Sequence, residues 1–177
     1  MAVDDKARYR EILIESGNKG RTSGAHRMAF AYYMCAIRLG DPKSQWVDDE
    51  QYQTTLLLYT NAATLSWAVG EYDKTEELLE AIFKNSRTAS DRIHAYRIQA
   101  RYYFGCQLHE KGRATLFRCM DELSDERDCM DTSDEGLENI HNEIEELVET
   151  MGVERILALP ACDDPSLIGT LGVMEEL

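Results

Sequence analysis

Histidines, cysteines and carboxylates are the side chains here that could hold a metal or move a proton, so their spacing comes first. His26, His94, His109 and His141 never fall three or four residues apart. A helix therefore presents no histidine pair to a metal, as zinc sites of the H-E-x-x-H type require. His109-Glu110 begins that motif, but Arg113 stands where its second histidine belongs. Cys35, Cys106, Cys119, Cys129 and Cys162 form no C-x-x-C pair. Neither G-x-x-x-x-G-K-[ST] nor G-x-G-x-x-G occurs, so no phosphate-cradling loop is encoded. No catalytic, cofactor-binding or metal-ligating residue is predicted, and no cofactor.

Weaker candidates remain. His141 is followed by Asn142 and Glu143 and then Ile144-Glu145-Glu146. A phosphoacceptor histidine needs a following acid and, soon after, a basic residue and proline, which this run lacks. Adjacent carboxylates such as Glu76-Glu77 and Glu145-Glu146 do acid–base work only where an apolar setting raises one pKa. On polar helix faces they are solvated. Arg92, Arg97 and Arg101 form a basic strip along one helix. It suits an acidic partner segment, or it pairs with the chain's own surplus acids. Trp46 is a loop residue that serves either as a binding anchor or as a lid folded back over the core. These four residues are the candidate interaction surface.

The bulk chemistry narrows the classes of partner. The 177 residues carry a formal net charge of -14, with 29% charged and 44% hydrophobic residues. That balance is globular, and it argues against nucleic acid or an anionic membrane surface, both of which attract clustered Lys and Arg. No apolar stretch reaches the length of a membrane span. An opening Met-Ala-Val-Asp-Asp-Lys without an apolar core, and an odd number of scattered cysteines, predict reduced thiols and a cytoplasmic protein.

The elements that must position these residues are helices. Only three prolines occur, at 42, 160 and 165, and alternating β-branched runs are absent. The pattern predicts an all-α chain of antiparallel helical hairpins. A first helix covers residues 4–16 and stops at Gly17-Asn18-Lys19-Gly20. Ser23 caps a second that runs to Leu39, with Met28, Tyr32, Cys35 and Leu39 on its inner face. Residues 49–69 carry two stripes, Tyr52, Leu56, Tyr59, Ala63 and Trp67 beside Leu58, Ala62, Leu65 and Val69, so that helix is buried on two sides. Gly70 supplies a left-handed turn, Tyr72 plugs the gap between the helices, and residues 73–84 return. Asp91 caps a helix over 91–108, residues 107–112 bend, and a partner helix carries Leu116, Phe117, Met120 and Leu123.

Tyr59 and Tyr96 stand 37 residues apart, near the period of about 34 of tetratricopeptide repeats. The helical-repeat region is assigned to residues 1–124, an acidic linker to 125–136, and continuing helices to 137–177. In the last part Leu137, Ile140, Ile144, Leu147 and Met151 recur at spacings of three and four. One helical turn is expected near 156–160, and a final helix opens at Pro165 and still runs at Leu177, as if cut from a longer chain.

Two stretches carry a resemblance: LLLYTNAATLSWAVGEYDKTEELLEAIF and DRIHAYRIQARYYF. With SGAHRMAFAYYMCAIRLGD before them and Ile156, Leu159, Pro160, Asp164 and Pro165 after, their order resembles the tetratricopeptide-like helical-repeat region of fungal multidomain hybrid histidine kinases. Those proteins join a protein-kinase-like domain, an AAA-type ATPase, a sensor and a histidine kinase. The resemblance implies a non-catalytic scaffold relaying a signal to other domains of the same polypeptide or to a protein partner, with catalysis in domains that lie elsewhere. The alternative is a free-standing tetratricopeptide-type adaptor that binds a peptide or protein. Ser66 and Thr75 depart from the residues usual at their repeat positions, so the repeats are degenerate.

Overall fold

The computed structural model describes residues 3–41, 44–124 and 133–175. It is all-α, and the described residues contain no strand. The helices are α1 (Val3–Thr22), α2 (His26–Leu39), α3 (Asp49–Ala68), α4 (Tyr72–Asn85), α5 (Ala89–Gly105), α6 (His109–Ser124), α7 (Asp134–Met151), α8 (Val153–Leu157) and α9 (Pro165–Met174). Consecutive helices pack in pairs, α1 on α2, α3 on α4 and α5 on α6. Further contacts of α2 with α3, and of α5 with both α3 and α4, join the pairs. Among the described residues no helix is long and apolar enough to cross a membrane.

The first helix corrects the expected stop at residues 17–20, because α1 runs through both glycines to Thr22. A methyl group on Gly17 would collide with the Tyr33 ring, and one on Gly20 would lie 3.1 Å from the Ala29 Cβ. The glycines are thus the hollows into which α2 presses. Tyr33 also donates to Asn18 Oδ1 at 2.7 Å. The chain turns instead at Gly24, with φ +78°. Ser23 is not the cap of α2, since its hydroxyl donates back to the Gly20 carbonyl at 3.1 Å. The inner face of α2 is Ala29, Tyr33 and Ala36. Met28 and Cys35, expected inside, are exposed. The contact with α1 is made by Ala29 and by the Tyr33 ring over Gly17, in place of the stripe one position earlier.

Two-sided burial of α3 holds. Tyr52, Leu56, Leu58, Ala62, Ala63 and Leu65 are all buried. Its cap is Asp48, which accepts from the Glu50 amide at 3.0 Å. Gly70 has φ +84°, the left-handed turn that glycine permits. Tyr72 does not plug the hairpin: it is half exposed and lies 5.7 Å from the Tyr102 ring. The plug is polar. Ser66 and Thr75 share a buried hydrogen bond of 2.8 Å across α3 and α4; whichever hydroxyl donates in it, the other keeps its proton for a backbone carbonyl, Ala63 for Ser66 or Glu71 for Thr75. The two unusual residues satisfy each other.

Thr88, not Asp91, caps α5. Its hydroxyl accepts from the Asp91 amide while the Asp91 carboxylate accepts from the Thr88 amide, a reciprocal capping box. Tyr52 donates to the same carboxylate at 2.7 Å, locking α3 to the start of α5. Gly112 lies inside α6 rather than in the bend, with the Phe104 ring filling the space of its absent side chain. The inner face of α6 is Leu116, Cys119 and Leu123, and Phe117 points outward.

One core joins α1–α4 with Ala95 and Ile98 of α5. A second joins α5, α6 and Val173 of α9. The linker assigned to 125–136 falls mostly on residues 125–132, outside the described residues, as does Cys129. The Ser133 hydroxyl accepts from the Gly136 amide and starts α7, which ends at Gly152 with φ +75°. Helix α9 is described to Met174, and residues 176–177 of the expected run to Leu177 lie outside the described residues.

Candidate functional site

Helix α4 buries Thr75, Leu78, Leu79 and Ile82. The periodicity of the same helix turns Glu76, Glu77, Glu80 and Lys84 to solvent. A cleft lies on either side of that charged face. The first, of about 390 Å³, runs between α4 and α5 and is lined by Glu76, Leu79, Glu80, Phe83, Gln99, Tyr102 and Tyr103. The second, of about 360 Å³, lies between α4, α3 and the 44–47 turn and is lined by Gln45, Trp46, Tyr59, Glu77, Glu80, Ala81, Lys84 and Asn85. Glu80 belongs to both.

Aromatic rings wall each cleft. In the first, Tyr102 stands 5.5 Å from Tyr103, and Tyr72, outside the lining, lies 5.7 Å from Tyr102. The Tyr102 hydroxyl donates to Glu76 at 3.2 Å. Partial burial first, then the Glu76 carboxylate and Cys106, push the Tyr102 phenol up to about 12, so it stays a neutral donor at physiological pH. In the second cleft Trp46 packs 4.9 Å from Tyr59. Gln45, 2% exposed, donates to the Tyr59 hydroxyl at 3.3 Å, while its carbonyl oxygen is a buried acceptor without a hydrogen-bond donor. Carboxylates beside ring faces are the combination that attracts guanidinium and ammonium groups, which gain both charge pairing and cation–π contact.

No family model, no curated protein and no solved structure matches this chain.

The four residues singled out from sequence meet different fates. Trp46 takes the core position, 7% exposed, edge-on to Tyr52 at 6.1 Å. Arg92 pairs with Glu122 of α6 at 2.7 Å. The Arg97 guanidinium lies against α9, its Nη1 3.1 Å from where a Gly172 side chain would begin. Arg101 is exposed near the far end of α5. The structure thus spreads the strip over three settings. His94, between those arginines, is held below its usual pKa by desolvation first and then by the charges of Arg97 and Arg101. His141 is exposed and lies 3.3 Å from Glu145. Among the described residues no three His, Cys, Asp or Glu side chains gather as a metal site. Cys119 is buried, and that burial raises its thiol to about 12, leaving it a neutral, unreactive core residue.

Sequence reasoning passed over two nodes. Glu122 accepts from Tyr96 and Arg92 together, with Arg118 at 3.6 Å. Arg87 reaches back from the α4–α5 turn to the Val47 carbonyl at 2.8 Å, pairs with Asp49, and lies 4.1 Å over the Tyr52 ring. Arg87 carries no periodic signal. Glu80 had one, since the i, i+4 set Glu76 and Glu80 on a helix flanked by tyrosines marks an acidic face beside aromatic walls.

Proposed function

We propose that this chain is a non-catalytic helical-repeat scaffold that binds a basic segment of a protein partner in the clefts flanking α4. The observation that carries this reading is the sharing of Glu80 by two aromatic-walled clefts, which gives two adjacent sites for cationic side chains on one helix. Support for a tetratricopeptide-like stack comes from the pairing of consecutive helices and from the contact of α3 with α5, one hairpin's first helix on the next. Placement in a hybrid histidine kinase, where the scaffold relays a signal to neighbouring domains of the same polypeptide, rests on the resemblance of residues 56–83 and 91–104.

Trp46 lines the second cleft and reports on it. In a Trp67→Phe background, titration with a short peptide alternating glycine and arginine is expected to change Trp46 fluorescence saturably. Glu80→Gln, which removes charge from both clefts, is expected to weaken that binding about tenfold, the worth of one charge-assisted hydrogen bond. Unchanged affinity in Glu80→Gln would defeat the binding half of the reading. A coding sequence that continues past residue 177 into phosphoacceptor-histidine and receiver motifs supports the kinase half. A coding sequence that ends there without them defeats it.

A further inference from the structure

Helix α7 is amphipathic, and among the described residues it packs on the short α8; every residue from 141 to 150 is exposed. Ile144 is 54% exposed and Leu147 58%, values foreign to a helix with so regular an apolar stripe. The stripe follows a heptad: Leu137, Ile144 and Met151 at one repeat position, Ile140 and Leu147 at the other. That spacing is met by a second helix laid along it, side chains interlocking, rather than by a flat surface.

Charge decides which helix. Between residues 134 and 151 the chain has seven acidic residues, Asp134, Glu135, Glu138, Glu143, Glu145, Glu146 and Glu149, and no Lys or Arg. A second copy of α7 would bring the same seven charges against these, and like charges across a helix pair repel. We infer that the α7 face docks an amphipathic helix of a partner protein that carries Leu or Ile at heptad spacing and Lys or Arg beside them. Apolar burial supplies the affinity, and the flanking charges select the partner and its register. This surface is separate from the α4 clefts, and neither proposal needs the other.

The test uses the whole chain and a fluorescein-labelled synthetic peptide of three heptads, with leucine at the two stripe positions and lysine or alanine elsewhere. Anisotropy is expected to show saturable binding that weakens as salt rises. Leu147→Glu and Ile144→Glu, each at an exposed position, are each expected to weaken it at least tenfold with helix content unchanged by circular dichroism. All these variants are compared in a Glu80→Gln background, which weakens capture of the peptide's lysines in the α4 clefts and so separates failure here from failure at α4. A peptide of the same composition with its stripe scrambled is expected not to bind. Equal binding by the scrambled peptide, or by both glutamate variants, would overturn the inference. So would tight binding by a version with glutamate in place of lysine, or a dimer of the chain in sedimentation that Leu147→Glu dissolves.

Discussion

Helices α3 and α7 are close in length, 20 and 18 residues, and both are rich in apolar side chains, yet they end in opposite environments. In α3 the apolar residues lie on two sides of the helix, and neighbours α2, α4 and α5 cover all the large ones but Leu57. In α7 they form one stripe, and among the described residues no core covers its Ile144 and Leu147. The contrast teaches that a strong one-sided stripe is not by itself a sign of burial. A helix apolar on two sides must be interior, because water would face it otherwise. A helix apolar on one side needs only one partner, and that partner need not belong to the same fold.

The largest expected difference between the two regions comes from truncating matched leucines. Leu79→Ala empties a fully packed site in the first core and is expected to cost about 3 kcal/mol, read as a fall in the urea midpoint. Leu147→Ala on α7 is expected to cost less than about 0.5 kcal/mol. Similar losses at both would erase the distinction.

Glycines sharpen it next. Gly17→Ala forces a methyl into the Tyr33 ring and is expected to cost about 1–3 kcal/mol through overpacking. Gly70→Val meets open space, so its expected loss of about 1–2 kcal/mol is backbone strain alone. An effect of the same size, about 1–2 kcal/mol, is expected from Val173→Ala, and it should be local. Hydrogen exchange would show α9 amides losing protection while those of α3 keep theirs.

The smallest prediction concerns pH. Burial opposes the Glu122 charge, but hydrogen bonds from Tyr96 and Arg92 outweigh it and hold the carboxyl below its usual range. The native state therefore takes up this proton less readily than the unfolded chain. The stabilisation is full above the ordinary carboxylate range and fades as pH falls toward the native value. Tyr96 is shifted upward by burial first and then by Glu122, so its contribution is full below the ordinary phenol range and fades as pH rises toward its raised native value. Glu122→Gln is expected to flatten the acid limb of a plot of urea midpoint against pH, and an unchanged limb would remove Glu122 from the account.

The all-α character, the two-sided burial of α3, the Gly70 turn and the extent of α7 were legible because each rests on periodicity or on one residue's backbone freedom. Errors gathered where a residue serves the neighbouring helix. Gly17, Gly20 and Gly112 look like stops along the chain, and only the rings of Tyr33 and Phe104 and the methyl of Ala29 show them to be hollows. Thr88 was passed over as a cap because Asp91 offered a stronger local signal, although the pair acts together. In the candidate site, the acids of α4 were visible in the sequence as a solvated face. The flanking rings come from three different segments, whose convergence no local pattern encodes.

Val173 sits at 0% exposure in the core of α5 and α6, although the rest of α9 is largely at the surface. Its insertion makes the stretch of roughly 40 residues between α6 and α9, which includes α7 and α8, a loop held at both ends. Closing a flexible loop of that length costs about 3 kcal/mol of chain entropy, which the contacts of α9 with α5 and α6 offset. A released α9 would uncover the apolar edge of the second core, where Val173 now sits.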